Sequence, residues 1–233
     1  MKRTAISDRG LVRLLPATYH KPPTLRGLVD TDDELEILAE IEGLTSARLL
    51  AERGRSPHLD PRELAWHRRS RDLRIYGDTH VNAAFTYTRM GGNRFNFEDR
   101  GAWHCAWETM VSVGEVAWHR TRELGYAGSF HDNARYVELL ADFIGEFQDI
   151  TDEPGHPALH PDPAIGCPEG QSLAQHLRRE GCRGLIYPSV RAPAPGGTCL
   201  VCFEPQAIQN VRPGASWELI WTGTPDFSVI AVG

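Results

Sequence analysis

The stretch "GGNRFNFEDRGAWHCAWETMVSVGEVAWHR", residues 91–120, carries a strand signal and a helix signal within a few residues of each other. A glycine pair and an Asp-Arg-Gly triplet punctuate short aromatic runs, and "GAWHCAW" reads as a strand. Immediately afterwards Met110, Val113, Ala117 and Trp118 recur at helical spacing, so "WETMVSVGEVAWHRTREL" is predicted to be a helix. Two charged residues sit awkwardly in this frame. Arg94 follows the glycine pair and precedes Phe95, and Glu115 lies among Val113, Gly114, Val116 and Ala117. Burying a charge is costly unless it is paired or meets a ligand, so both are candidates for a site.

Upstream, "AAFTYTRM" continues the strand texture, which begins at about residue 73. Residues 1–65 read as a mostly helical lead-in: Leu35, Ile37, Leu38 and Ile41 have a helical period, with Thr31 and Asp32 as capping candidates. Downstream, "ARYVELLADFIGEF" fits strand or helix. Residues 149–170, rich in Pro and Gly, are expected to form a surface loop bordering or covering the site. "QSLAQHLRREGC" is an amphipathic helix stopped by Gly181, "GLIYP" and "GGTCLVCF" are strands, and further short strands surround Trp217 to Trp221. The expected fold class is α+β: short antiparallel strands, helices at their edges and a helical N-terminal lobe. The expected division is a helical extension over 1–65 and a main domain over 66–233.

Composition excludes several classes of function. At 233 residues, with 41% apolar and 24% charged residues, the chain can bury a core and matches neither a disordered nor a fibrous composition. A net charge of -6 gives no general footprint for nucleic acid, the Arg-rich "WHRRSRDLR" at 66–74 being the exception. No run long and apolar enough to span a membrane and no leader-like segment is evident, so a cytoplasmic protein is expected. The five cysteines are odd in number and scattered, which does not suit a disulfide framework. Cys199 and Cys202 have CxxC spacing, but residues three apart in a strand face opposite ways, so packing explains them better than redox chemistry.

Arg74 lies between Leu73 and Ile75, a second guanidinium in an apolar frame, and Ser189 and Arg191 follow the "GLIYP" strand just before another glycine pair. Arginines beside glycines that let a backbone come close suit a pyrophosphate, which a guanidinium fork binds through two oxygens. Each has a plainer reading: an internal ion pair for the arginines, a turn hydroxyl for Ser189, a helix-surface acid for Glu115, and a core imidazole for His104 between Trp103 and Trp107. A metal site is the rival chemistry, from His156, His160 and Asp162 with His119 and His131 as further donors, although the prolines spoil a shared helical face.

The ordered set of Arg94-Phe-Asn-Phe, Gly101-Ala-Trp-His-Cys-Ala, Glu115 and "GLIYPSVRAPAPGGTCLVCF" resembles the RES domain, named for its arginine, glutamate and serine. The resemblance covers about residues 73–205. It implies a core like that of ADP-ribosyltransferase toxins and a role as the toxin of a bacterial toxin–antitoxin pair. The activity implied is consumption of NAD+ by cleavage of the nicotinamide–ribose bond, foremost by phosphorolysis to nicotinamide and ADP-ribose 1''-phosphate. Hydrolysis, transfer of ADP-ribose to a protein, and a catalytically silent partner-binding module are the alternatives. NAD+ is then a substrate and inorganic phosphate a co-substrate, with no resident cofactor or metal. The implied partner is a helix-turn-helix (Xre-type) antitoxin covering the site, with the toxin a homo-oligomer in that complex and neither membrane nor nucleic acid bound directly.

Residue by residue, the resemblance assigns Arg74 and Arg94 to the family's two arginines, Glu115 to its glutamate and Ser189 to its serine, with Arg191 and His104 as further NAD+ contacts. His104 stands where the family usually has tyrosine; an imidazole there can stack on nicotinamide or form a hydrogen bond to it.

Overall fold

A computed structural model of the chain describes residues 1–20, 28–64, 76–191 and 196–232. Among these residues, seven strands form one sheet in the order β1-β2-β5-β4-β3-β6-β7. They are β1 (Lys2–Pro16), β2 (Trp103–Ala106), β3 (His131–Asp149), β4 (Gly184–Pro188), β5 (Thr198–Cys202), β6 (Gln209–Thr222) and β7 (Phe227–Val232). Their pairing is antiparallel except between β3 and β4. Val12 of β1 is opposite Leu140 of β3 on one edge and Ala106 of β2 on the other, so β1, β2, β5, β4 and β3 close a circuit of pairings. Beyond that circuit, β6 and β7 extend the sheet from β3.

The α+β class holds, with two changes of detail. The strands are not all short, since β3 has 19 residues and β1 has 15. The lead-in is helical only in part. Residues 2–16 are strand, whereas α1 (Asp32–Thr45) and α2 (Ala47–Glu52) are the expected helices. Thr31 caps α1 in a reciprocal box with Glu34. The strand was hidden because its first half alternates exposed and half-buried small and polar residues, a weak version of the period of two. On α1, the apolar residues Ile37, Ile41 and Leu44 are exposed, so the helical period there does not mark a core face.

"AAFTYTRM" is not a strand. Its first four residues end helix α3 (Asp78–Thr86), which buries Val81, Ala84 and Phe85. Ala84 and Phe85 lie three and four residues after Val81, the spacing of a helix face, and aromatic enrichment alone misled. The ambiguous "ARYVELLADFIGEF" is strand, the middle of β3. The helix predicted from the opening stretch is α4 (Thr109–Ala127), ended by Gly128 in the left-handed conformation.

The loop after β3 is shorter than expected, because α5 (Pro163–Arg179) already begins at Pro163. Proline is favoured in the first helical turn, where its missing N–H costs nothing, and the Asp162 carboxylate accepts from Ala164 N–H at 2.9 Å. Only Pro168 sits where an interior hydrogen bond is lost.

Side chains from the two faces of the central strands form separate cores. Leu11, Phe85, Trp103, Leu139, Phe143, Leu200 and Cys202 belong to one; Phe95, Ile150, Leu177, Tyr187, Cys199 and Val201 belong to another. Cys199 and Cys202 therefore do face opposite ways, and all five cysteines are free. Helix α4 lies over β1, where the buried Ser112 hydroxyl donates to the Val12 carbonyl at 2.7 Å. Among the described residues, no helix is long and apolar enough to cross a membrane.

Candidate active site

A cleft of about 460 Å³ opens between β1, β2 and β5, helix α4, the turn at 89–94 and the start of α5. Its floor comes from β1, β2 and β5, and one wall from the α4 face carrying Glu115, His119 and Arg122. Residues at i, i+4 and i+7 share a helix face, so a single helix presents all three together.

Glu115 is half-buried, and its carboxylate accepts a hydrogen bond from the Ser189 hydroxyl at 2.5 Å. The two are distant in sequence. Ser189 follows β4, its N–H donates to the Gly197 carbonyl at 2.7 Å, and its oxygen accepts from Arg191 N–H at 3.1 Å. Ser189 is thus held by its own loop and donates inward. Burial pushes the Glu115 carboxyl above the ordinary range, opposed by the Ser189 hydrogen bond and by the positive charges of Arg191 and Arg94.

Arg94 lines the cleft, but one arm of its fork is already in use: Nη1 donates to the carbonyls of Ala158 at 2.6 Å and His160 at 2.9 Å. No ion pair to Arg94 is present among the described residues, and its Nε and Nη2 make no hydrogen bond there. This arginine therefore fastens the turn at Pro157–Leu159 and still offers donors to the cleft. The local geometry depends on glycine. Gly92, at φ +68°, lies where a Cβ would strike the Asn96 carbonyl oxygen, and Gly166 lies where a Cβ would strike the Arg94 guanidinium.

His104 also lines the cleft. Its Nε2 is 3.2 Å from Oδ1 of the buried Asn96, whose Nδ2 donates to the Phe97 carbonyl at 2.8 Å and whose Oδ1 also accepts from Asn93 at 3.1 Å. An oxygen that only accepts requires a proton on Nε2, which leaves Nδ1 as an acceptor. Burial, with Arg13 adding its positive charge, holds the imidazole down to about 3, so it is neutral near neutrality.

The tryptophans on either side of His104, Trp103 and Trp107, do not line the cleft. Trp103 is fully buried in the core, and the Trp107 indole donates to Asp8 at 2.9 Å. Alternation along β2 sends Trp103 to the face opposite His104. The rings that do line the cleft are Trp118 and Tyr187. Arg191 stacks on Trp118, its guanidinium carbon 3.7 Å from the ring centroid, and donates to the Pro161 carbonyl.

Of the residues singled out by sequence, the cleft collects Glu115, Arg94, His104 and Arg191, with Ser189 bonded to Glu115. Arg74, like the Arg-rich patch around it, lies outside the described residues. His156 and His160 use their Nδ1 atoms to accept from the N–H groups of Ala158 and Asp162, each at 3.1 Å, as local turn caps. No group of three metal-ligating side chains occurs among the described residues.

Sequence reasoning missed Arg13, Arg89 and Arg122, and it weighed His119 only as a metal ligand. Arg13 comes from β1. Its Nη1 donates to the His104 carbonyl at 3.2 Å, its guanidinium carbon lies 4.9 Å from the Trp103 ring centroid, and burial lowers its affinity for a proton to about 10. Leu11, Val12 and Leu14 around it are buried, the signal of a charge in an apolar run that had drawn attention to Arg94. With these additions five arginines line the cleft, and Glu115 is its one carboxylate among the described residues. Such a cleft favours an anionic ligand with one position reserved for positive charge.

A family model described as RES domain matches residues 64–222. No curated protein matches the chain.

Proposed function

The chain belongs to the RES domain family, which is associated with NAD+-related enzymatic activity, and on that premise we propose that it cleaves the nicotinamide–ribose bond of NAD+ by phosphorolysis. The observation that carries this reading is the Glu115–Ser189 hydrogen bond of 2.5 Å in a cleft where, among the described residues, Glu115 is the one carboxylate facing five arginines. Breaking the bond from C1'' to the nicotinamide nitrogen sends its electron pair to the ring, which leaves neutral. Positive charge then grows on the ribose. A carboxylate facing that carbon stabilises it, and Ser189 keeps the carboxylate ionised and aimed. An oxygen of inorganic phosphate forms the new bond to C1'', giving ADP-ribose 1''-phosphate.

In this reading Arg94 and Arg13 hold the diphosphate, each with donors not taken up by carboxylates. His104, neutral and with Nδ1 free to accept, takes the N–H of the nicotinamide carboxamide. Its Nε2 is committed to Asn96, so the hydrogen bond it offers is as acceptor. Arg191 and Trp118 border the same space from the α4 side. The biological role that goes with this chemistry is the toxin of a toxin–antitoxin pair, silenced by a helix-turn-helix protein that closes the cleft.

The test is direct. Purified protein is mixed with NAD+, with and without phosphate, and nicotinamide release is followed. Release that depends on phosphate, and falls by about 10²-fold or more in Glu115→Gln, is the expected result. No release under either condition sinks the proposal. Release equal with and without phosphate would replace phosphorolysis with hydrolysis.

A further inference from the structure

The α4 wall holds more positive charge than the diphosphate and ribose of the proposed substrate require. Arg122 lines the cleft, yet not one of its five N–H donors is hydrogen-bonded to a described residue, and its Nε is completely buried. Its contact is with a ring: the guanidinium carbon is 4.7 Å from the Trp118 centroid. An arginine with a buried, unused donor is costly to maintain unless an acceptor arrives.

The neighbouring groups are donors too. Arg89 donates from Nε to the Gly92 carbonyl at 3.0 Å and from Nη1 to His119 Nδ1 at 3.3 Å. A guanidinium can only donate, so Nδ1 accepts and the neutral His119 ring carries its proton on Nε2. That N–H has no partner among the described residues. Glu123, the nearest acid in sequence, is turned to Arg120 at 3.3 Å. Arg89, Arg122 and Arg191 stay close enough to His119 that, with burial, they hold its imidazole down to about 3.

We propose that Arg122, Arg89 and His119, beside Trp118, form a second anion site in the cleft, shaped for a phosphate dianion and separate from the Glu115–Ser189 pair. The chemistry is shared by two sources: free inorganic phosphate, and the 2'-phosphate of a dinucleotide such as NADP+. The site is read from unused donors and stands or falls independently of whether NAD+ is cleaved.

The test is a binding measurement. Thermal unfolding of the full-length protein is followed with inorganic phosphate against chloride at equal ionic strength, for wild type, Arg122→Gln and Arg89→Gln. Arg89 is exposed, so the second variant keeps the test valid should the first not fold. Separately, Kd values for NADP+ and NAD+ are measured on Glu115→Gln, with and without Arg122→Gln. Phosphate should raise the unfolding midpoint of wild type and lose that effect in the variants. NADP+ binding tighter than NAD+ by about tenfold, the effect of one charge-assisted hydrogen bond, and equalised by Arg122→Gln, identifies the 2'-phosphate as the ligand. Equal binding of the two dinucleotides, with phosphate protecting wild type alone, identifies the free ion. Phosphate protection unchanged in both variants, or absent from wild type together with no preference for NADP+, overturns the site.

Discussion

At the scale of single residues, the site is a set of groups whose charge state is set by their surroundings. Burial raises the Glu115 carboxyl, so the acid limb of a pH–activity profile should lie above the ordinary glutamate value of 4.5. The Ser189 hydroxyl donates to the charged form and opposes that shift. Ser189→Ala is therefore expected to move the acid limb to higher pH while leaving the alkaline side in place, as read from nicotinamide release across pH. A limb that stays put or moves down would separate Ser189 from the ionisation of Glu115. His104 and His119 work in the other direction. Both are held at about 3, against 6.5 for a free imidazole. Between those values the unfolded chain takes up protons that the folded chain refuses, so stability is lost as pH falls from 6.5 towards 3. Unfolding midpoints measured from pH 7 to 4 should fall, and the double variant His104→Gln/His119→Gln should show a shallower fall.

At the scale of elements, β1 and α4 do most to build the cleft. The strand was invisible to a reading tuned to helical period, and it brings Arg13 from outside the segment matched by the family model. It is held by a long antiparallel register with β3, and by Leu11, which is 1% exposed in the core. Leu11→Ala should cost about 2–5 kcal/mol in urea unfolding, the range for a buried leucine cut to alanine. Nicotinamide release should weaken with it at temperatures where the variant is still folded, because Arg13 is two residues away. A stability change below about 0.5 kcal/mol would show that β1 is not integral to the sheet. Helix α4, by contrast, was legible at once. Val113 and Ala117 of its apolar period are buried, and a glutamate at a position surrounded by apolar neighbours stood out against it.

At the scale of the whole molecule, a chain of net charge -6 concentrates five arginines of its described residues in one cleft. Low-dielectric walls focus that field on an incoming anion, whereas the acidic exterior disfavours nonspecific polyanions. The apparent KM for NAD+ should therefore rise as NaCl is increased from about 0.05 M to about 0.5 M, with kcat changing less. A KM insensitive to salt would mean that the arginines are not met by substrate phosphates.

The sequence by itself determined the α+β class, the helix that carries Glu115, the strand-and-turn that carries Ser189, and the family, because each rests on local periodicity or on an ordered motif that survives without knowledge of partners. Tertiary structure decided which arginines share the cleft, which aromatic rings line it and which proton the imidazole of His104 carries. Those depend on pairings between segments far apart in the chain: β1 against β3, Asn96 against His104, Ser189 against Glu115. A side chain's neighbours across a sheet are set by register and by burial, and neither is written in the residues that flank it.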